Sequence, residues 1–519
     1  VDCERNRIQL SLLQGKLPKE LERYEQPLVG VQPRRPLWEH QLAMFRHGVT
    51  VRRGIWAAEP GCGKTLAAIE LMEWAADNLG YTDWWFLSPK NVQKAIELEL
   101  EKWGCRVKPR LLHYDILARE LEARFVCRGC GSILVESRTR NPQTGDLECR
   151  ECRATGRGIF ERLPDQKAPH GVIADESATL KSGGARRTKA VQILADAVRE
   201  EHDGFVIEMC GIPAPRDPCD WHAQAEIACP GFLREGTRGK LLNRLAVIEK
   251  VQLETHAFPK IKSWKRDEVE LLKRRLSGLV QIHLASECLD LPELRKEIVK
   301  LLPSDAARRA AKLMVTTSLT AVQALIKVRC LSDGFTYLAD GSARRAESPK
   351  DQALRDLLGR YEEVGRVIVY SAFQESVDRC TEICREEGWT VLQCDGRGYR
   401  VEGASEGWDE KRLLLEMDRQ ADTGEIEKLA YVANPASGGV GLTLTSAPAS
   451  IFVSCDFNYG VLGQALCRGH RPGMDVERGH TAWFIQHLPT DAYILKNLEQ
   501  KRELQSWSLL EIQEALDAS

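Results

Sequence analysis

Short apolar runs recur along the chain, each closed by a glycine or a polar turn and followed by residues at helical spacing. In the first half they are Gly54–Ala57, Trp84–Leu87, Val172–Ala174 and Phe205–Ile207. In the second half they are Val367–Tyr370, Thr390–Leu392, Leu429–Val432, Ile451–Val453 and Ala482–Ile485. A strand that is apolar at every position is buried on both faces, and its alternation with helices predicts parallel sheets. Two such series predict two α/β domains. Between them, over 236–345, the pattern changes. Glu268–Leu279 and Ser304–Leu325 carry charged and apolar residues at helical spacing, and strand-like runs are few. This stretch reads as a helical insertion and linker, with Gly341–Pro349 as the polar hinge before the second series.

Composition narrows this picture without changing it. The 519 residues are 43% hydrophobic and 29% charged, as in ordinary globular chains, and the length fits three or four units. Lys and Arg number 73 against 75 Asp and Glu, so bulk charge does not attract nucleic acid and any phosphate contact must come from local basic patches. No apolar run approaches the roughly 18 to 20 residues of a membrane span. Val1–Leu13 mixes charged and apolar residues and carries no secretory pattern. Seventeen cysteines in so long a chain predict a reduced, cytoplasmic protein rather than a disulfide scaffold.

Three segments carry chemistry. The first is Ala58-Glu-Pro-Gly61-Cys-Gly63-Lys64-Thr65, between a strand and a helix that Gly80 ends. Gly61 and Gly63 let backbone N–H groups turn inward around phosphate oxygens, and the helix N-terminus adds a favourable dipole. Lys64 can reach the outer phosphates of a nucleotide, and the Thr65 hydroxyl can ligate Mg²⁺. The second is His170-Gly-Val-Ile-Ala-Asp175-Glu176, which sets two acids at the C-terminal end of a buried strand, the ligand edge of a parallel sheet. There Asp175 can hold Mg²⁺ through water, and Glu176 can orient and deprotonate an attacking water. The third, Gly463 to Gly473, places Gln464, Arg468 and Arg471 on adjoining turns of an expected helix, where guanidinium groups fork onto phosphate oxygens.

A fourth segment has metal-ligand spacing. Cys127-Arg-Gly-Cys130 and Cys149-Arg-Glu-Cys152 are two CxxC knuckles separated by eighteen residues. Two knuckles supply four thiolates, which close a tetrahedral Zn²⁺ site and leave no open position, so the metal is expected to be structural. The segment has no core of its own, and metal binding would supply its folding energy. Arg128, Arg138 and Arg140 decorate this ribbon.

In this order, these elements resemble the superfamily-two helicases, and in finer detail the Swi/Snf-related DNA-translocating ATPases. The resemblance runs over most of the chain. Gln41, in Trp38-Glu-His40-Gln41, stands where that family keeps an adenine-reading glutamine. Phe86-Leu-Ser88-Pro89, Glu101-Lys-Trp103, Asp175–Lys181 and Met209-Cys-Gly211-Ile-Pro213 are similar to its next motifs. Val369–Phe373, Cys394-Asp395-Gly396, Ser437-Gly438-Gly439-Val-Gly441-Leu-Thr-Leu-Thr445 and Asp456-Phe-Asn458 resemble those of its second half. Ala178, Cys210, Ile212 and Met474 depart from the usual residues.

The resemblance implies two RecA-like parallel-sheet lobes: a first over 1–235, containing a zinc-ribbon insert at 125–155, and a second over 346–500. The helical insertion and linker, 236–345, lies between them, and a C-terminal helix follows at 501–519. It implies ATP and Mg²⁺ bound by Gln41, Gly61, Gly63, Lys64, Thr65 and Asp175. Catalysis falls to Lys64, Asp175, Glu176, Gln464, Arg468 and Arg471. DNA would be contacted near Ser88, Pro89, Tyr114, Ser371, Ser437, Gly438, Gly439 and Thr445. The expected activity is DNA-dependent ATP hydrolysis coupled to movement along duplex DNA, by a monomer, in the cytoplasm of a bacterium or of a virus-infected bacterial cell. A strand-separating or fork-remodelling helicase is the alternative. A non-hydrolysing zinc-ribbon adaptor is a third reading, which the full set of ATPase groups opposes.

Overall fold

The computed structural model describes residues 19–499 except 121–123, 128–129, 131–132, 136–148, 150–151, 153–159, 163–166, 212–216, 253–256, 339, 418, 420–423, 439–441, 443 and 456–458. The expected C-terminal helix 501–519 lies outside the described residues. The chain divides into two compact units between Cys288 and Leu289.

The first unit is built on six parallel strands: β1 (Arg53–Ala58), β2 (Trp84–Ser88), β3 (Arg110–His113), β4 (Gly171–Asp175), β5 (Phe205–Cys210) and β6 (Val280–His283). Their order across the sheet is β6-β1-β5-β4-β2-β3. β1, β2, β4 and β5 are buried along their whole length, as their predominantly apolar runs predict. Because all the strands are parallel, the loops after β1 and β4 leave from one edge, on either side of the loop after β5. Ligands bind at such an edge.

The second unit holds seven strands: β7 (Arg295–Lys300), β8 (Arg366–Tyr370), β9 (Thr390–Asp395), β10 (Gly398–Glu402), β11 (Leu429–Ala433), β12 (Ala449–Phe452) and β13 (Thr481–Gln486). The order is β7-β13-β12-β8-β11-β9-β10. All pairs are parallel except the hairpin of β9 and β10. Val367, Val369, Val391, Ala430, Val432 and Ile451 pack with the helices Pro349–Arg360 and Gln374–Glu386 into one core.

The reading of 236–345 as a strand-poor helical stretch is corrected. Helices Arg238–Leu245, Arg266–Arg275, Asp305–Thr316 and Ala321–Ser332 are present. The same stretch also supplies β6 to the first sheet and β7 to the second, and it folds Ala246–Gln252 against Ala257–Trp264 as an antiparallel hairpin. β6 and β7 are edge strands with solvent-facing positions. β7, Arg-Lys-Glu-Ile-Val-Lys, is largely exposed and therefore lacks the apolar signature. The expected hinge at Gly341–Pro349 is corrected as well. Ala343–Arg345 pairs with Phe335–Tyr337, and the Ser348 hydroxyl caps the helix Pro349–Arg360.

Within the first unit, Arg124–Cys127 pairs antiparallel with both Ile133–Val135 and Phe160–Arg162. The small sheet at the cysteines thus reaches Arg162, beyond the expected 125–155. No helix among the described residues is long and apolar enough to cross a membrane.

Candidate functional site

The phosphate loop follows β1 directly, and the helix Lys64–Leu79 begins where it ends. Gly61 and Gly63 take φ of 94° and 67°, the left-handed region that a side chain disfavours. A Cβ at Gly63 would also meet the far end of the Gln41 side chain, which would have to move aside. Gln41 reads its own helix and the loop together. Its Oε1 accepts from the Trp38 N–H at 3.0 Å, and its Nε2 lies 3.5 Å from the carbonyls of both Cys62 and Gly63. His40, one residue earlier, donates from Nε2 to the Cys62 carbonyl at 2.9 Å. The sequence reading gave His40 no role; its place beside Gln41 was the available signal. Trp38 is half exposed, with its ring 5.7 Å from that of His40.

Lys64 Nζ donates to the Ala58 carbonyl at 2.6 Å and lies 3.4 Å from that of Glu59. An incoming phosphate would exchange these neutral acceptors for an anionic one, a stronger charge-assisted bond. Left-handed glycines, a helix N-terminus and a lysine at the loop together form a cradle that fits a nucleotide polyphosphate.

Asp175 ends β4, as expected, and Glu176 follows in the left-handed region with φ 51° and ψ 46°. Strain of this kind at a non-glycine residue persists only where its surroundings over-determine it. Here the Glu176 N–H donates to Asp175 Oδ1 at 2.9 Å, and the Tyr114 hydroxyl donates to the Asp175 carbonyl at 2.6 Å. The Cys210 thiol lies 4.0 Å from Glu176 Oε2. Gly211 sits against the phosphate loop, where a Cβ would meet Pro60 Cδ at 3.0 Å. Ile212 and Pro213 lie outside the described residues.

In the second unit, the helix Tyr459–Leu466 carries Gln464 but stops short of the arginines. The expectation that all three share adjoining helical turns is corrected: Arg468 and Arg471 sit in the turns that follow. Gly469 packs where a Cβ would strike the His480 ring, and Pro472 cannot continue a helix. Both arginines turn onto one carbonyl. Arg468 Nη1 donates to Leu442 O at 3.1 Å and Arg471 Nη1 at 2.9 Å, while the Leu444 N–H returns to the Arg468 carbonyl at 3.1 Å. The arginine segment is thereby tied to the glycine-rich segment. His470 is structural, with Nε2 donating to the Pro292 carbonyl at 2.7 Å.

The DNA-contact candidates divide. Tyr114 is buried, and its hydroxyl donates to the Asp175 carbonyl. Ser88 and Ser371 are fully buried, with Ser88 Oγ donating to the Pro89 carbonyl at 3.1 Å and Ser371 Oγ 2.9 Å from Ser454 Oγ. Their hydroxyls serve the loops and do not face outward. Gly438 is required by close approach, since a Cβ would lie 2.6 Å from the Tyr431 hydroxyl. Thr445 is also buried, whereas Pro89 and Ser437 are partly exposed. Gly439, Gly441, Asp456 and Asn458 lie outside the described residues, as do Arg128, Arg138 and Arg140.

The four cysteines of the two knuckles converge. Their sulfurs all lie within 4.8 Å of one another, with Cys127 and Cys152 3.7 Å apart and Cys130 and Cys149 3.6 Å apart. A tetrahedron of thiolates with Zn–S bonds of about 2.3 Å has edges of about 3.8 Å, so the set fits zinc.

Fold and loop define a phosphate-loop α/β protein. No protein-family model matches the chain. Among curated proteins it is similar to Helicase SWR1 of Mycosarcoma maydis, 25% identical over 166 residues, which are 32% of this chain and 8% of that protein. It is similar to Helicase domino of Drosophila melanogaster, 26% identical over 180 residues, 34% of this chain and 5% of that protein. It is also similar to the CHD3-type chromatin-remodeling factor PICKLE of Arabidopsis thaliana, 27% identical over 125 residues, 24% of this chain and 8% of that protein. The matched stretch is thus a small fraction of each relative's length. Among solved structures, the Sulfolobus solfataricus SWI2/SNF2 ATPase core in complex with dsDNA is 16% identical, covers 95% of this chain and 97% of its own, and superposes with a TM-score of 0.37. Over these matched stretches the chain is similar to helicases and chromatin-remodelling factors of the Swi/Snf-related kind.

Proposed function

We propose that this protein is an ATP-dependent DNA translocase, in which hydrolysis drives movement along duplex DNA. The observation that carries the reading is the pairing, on one sheet edge of the first unit, of the left-handed glycine loop with the Asp175–Glu176 turn. Gly61, Gly63 and Lys64 hold the phosphates, Thr65 and Asp175 hold Mg²⁺, Gln41 reads the adenine, and Glu176 orients and deprotonates the attacking water. The two units act as RecA-like lobes. Gln464, Arg468 and Arg471 supply charge to the transition state, and duplex DNA stimulates hydrolysis. Contact through the DNA backbone makes binding sequence-tolerant and salt-sensitive. Cys127, Cys130, Cys149 and Cys152 hold a structural Zn²⁺, which cross-links two loops that have little core of their own.

The test is phosphate release with duplex DNA, single-stranded DNA and RNA, for the wild type and Lys64→Ala. Stimulation by duplex DNA that is lost in Lys64→Ala is expected. Absence of hydrolysis, or full activity in Lys64→Ala, overturns the reading. Triplex displacement without strand displacement separates the translocase from the unwinding helicase.

A further inference from the structure

Behind the Asp175–Glu176 turn lies a set of polar groups that the proposed chemistry does not use. Ser177, next to Glu176, is fully buried, and its hydroxyl donates to Gln224 Oε1 at 2.9 Å. Gln224, also fully buried, lies on the helix Trp221–Ala228 and donates from Nε2 to the Asp220 carbonyl at 3.1 Å. Glu208 is fully buried in β5, in register with Ala174 of β4 on one side and Ile55 of β1 on the other. The turn Ser177–Leu180 packs on both that helix and β5.

Each of these residues is costly at such a depth. A buried amide or carboxyl destabilises a core unless it is bonded, and an apolar residue of similar size would serve packing better. Their shared neighbour is the residue that follows Glu176.

We propose that Gln224 and Glu208 are positioning residues for the Glu176 carboxylate, acting through Ser177 to lock the left-handed turn that aims it. The proposal rests on the reading of Glu176 as the group that activates water. Ser177 has a single proton and gives it to Gln224, so its oxygen is left to accept. Burial holds the Glu208 carboxyl well above the usual range, against the opposing pull of the Ser177 hydroxyl and the Arg199 guanidinium; the Tyr114 phenol also senses it. Burial favours the protonated form of this carboxyl, which can donate. Neither of its oxygens meets strict hydrogen-bond geometry, though Ser177 is near enough to act on it. In this proposal a bond from Glu208 to Ser177 would extend the observed Ser177–Gln224 pair and fasten the turn to the central sheet and the helix. Without that chain Ser177 is free to relax, and Glu176 at φ 51° loses the support that keeps it strained.

The test pairs a kinetic with a non-kinetic readout on the full chain. Gln224→Leu and Glu208→Leu are expected to lower kcat for ATP by about tenfold or more with KM for ATP unchanged. Glu208→Gln, a neutral isostere that still donates, is expected to restore most of the rate. Amide hydrogen exchange over 176–180 is expected to quicken in Gln224→Leu, with or without nucleotide. Unchanged exchange overturns the lock whatever the ATPase does. Quickened exchange with unchanged kcat overturns the positioning role. A wild type that does not hydrolyse ATP overturns the ATPase reading instead, and the lock is then judged on exchange alone.

Discussion

Arg471 and Arg468 donate to the same Leu442 carbonyl, at 2.9 and 3.1 Å, yet they differ in depth: Arg468 is 5% exposed and Arg471 is half-buried. The two arginines of one motif therefore divide their work. Arg468 is buried against the glycine-rich segment it helps to hold, and Arg471 is the more exposed of the two.

That division predicts different mutant behaviour. Arg468→Ala removes a buried donor and is expected to destabilise the second unit by about 1–3 kcal/mol, lowering the thermal midpoint. Arg471→Ala is expected to leave the midpoint within the scatter of ordinary surface substitutions. Calorimetry of both variants checks this, and equal midpoints contradict it.

The cysteine cluster predicts metal content. The protein purified without chelator is expected to carry one Zn²⁺ per chain by atomic emission. Cys149→Ser, which removes a buried ligand, is expected to carry little or none and to be cut by protease within 125–162. Unchanged zinc in that variant contradicts the site.

Acid sensitivity follows from two buried histidines and one carboxylate paired with two arginines. Burial pushes His47 and His480 down from 6.5 to about 4. His47 donates to the Gly278 carbonyl at 2.7 Å and accepts from Trp56 Nε1 at 3.2 Å, and His480 is bonded to Ser450 and Ala447 at 2.9 Å each. Both rings are thus held neutral. Only the unfolded chain takes up these protons between pH 6.5 and 4, so stability falls as pH drops through that window, by on the order of 3 kcal/mol per ring at its foot. Glu235 adds to the loss at lower pH. Burial raises its carboxyl, but Arg275 and Arg244 outweigh this and hold it at about 2, so its contribution is complete above 4.5 and is lost as pH falls toward 2. Urea midpoints are expected to fall steadily from pH 7 to pH 4; a flat profile contradicts the assignment.

The sequence made the interior strands legible because a strand buried on both faces is apolar at most of its positions. It made the phosphate loop and the CxxC pairs legible because phosphate and metal chemistry fix spacing as well as residue type. The edge strands β6 and β7 escaped, since solvent on one side allows Lys296 and Glu297 to stand where an interior strand would be apolar. The arginines were assigned one helix too many residues, because spacing alone does not register a glycine packed on His480. Tyr114 was named as a DNA-contact candidate; tertiary packing commits its hydroxyl to the Asp175 carbonyl. Glu208 interrupts an apolar run, but its partners Ser177 and Gln224 come from distant points in the chain, and only the fold assembles them.

The central claim is that this protein hydrolyses ATP and that Arg471 supplies charge to the transition state. The most direct measurement is single-turnover ATP hydrolysis at saturating ATP and duplex DNA by Arg471→Ala, with nucleotide binding measured in parallel. The account predicts near-normal ATP binding and a rate lower by about 10³-fold or more, the scale of an arginine finger. A rate within about twofold of the wild type, well under a kcal/mol of barrier, contradicts it.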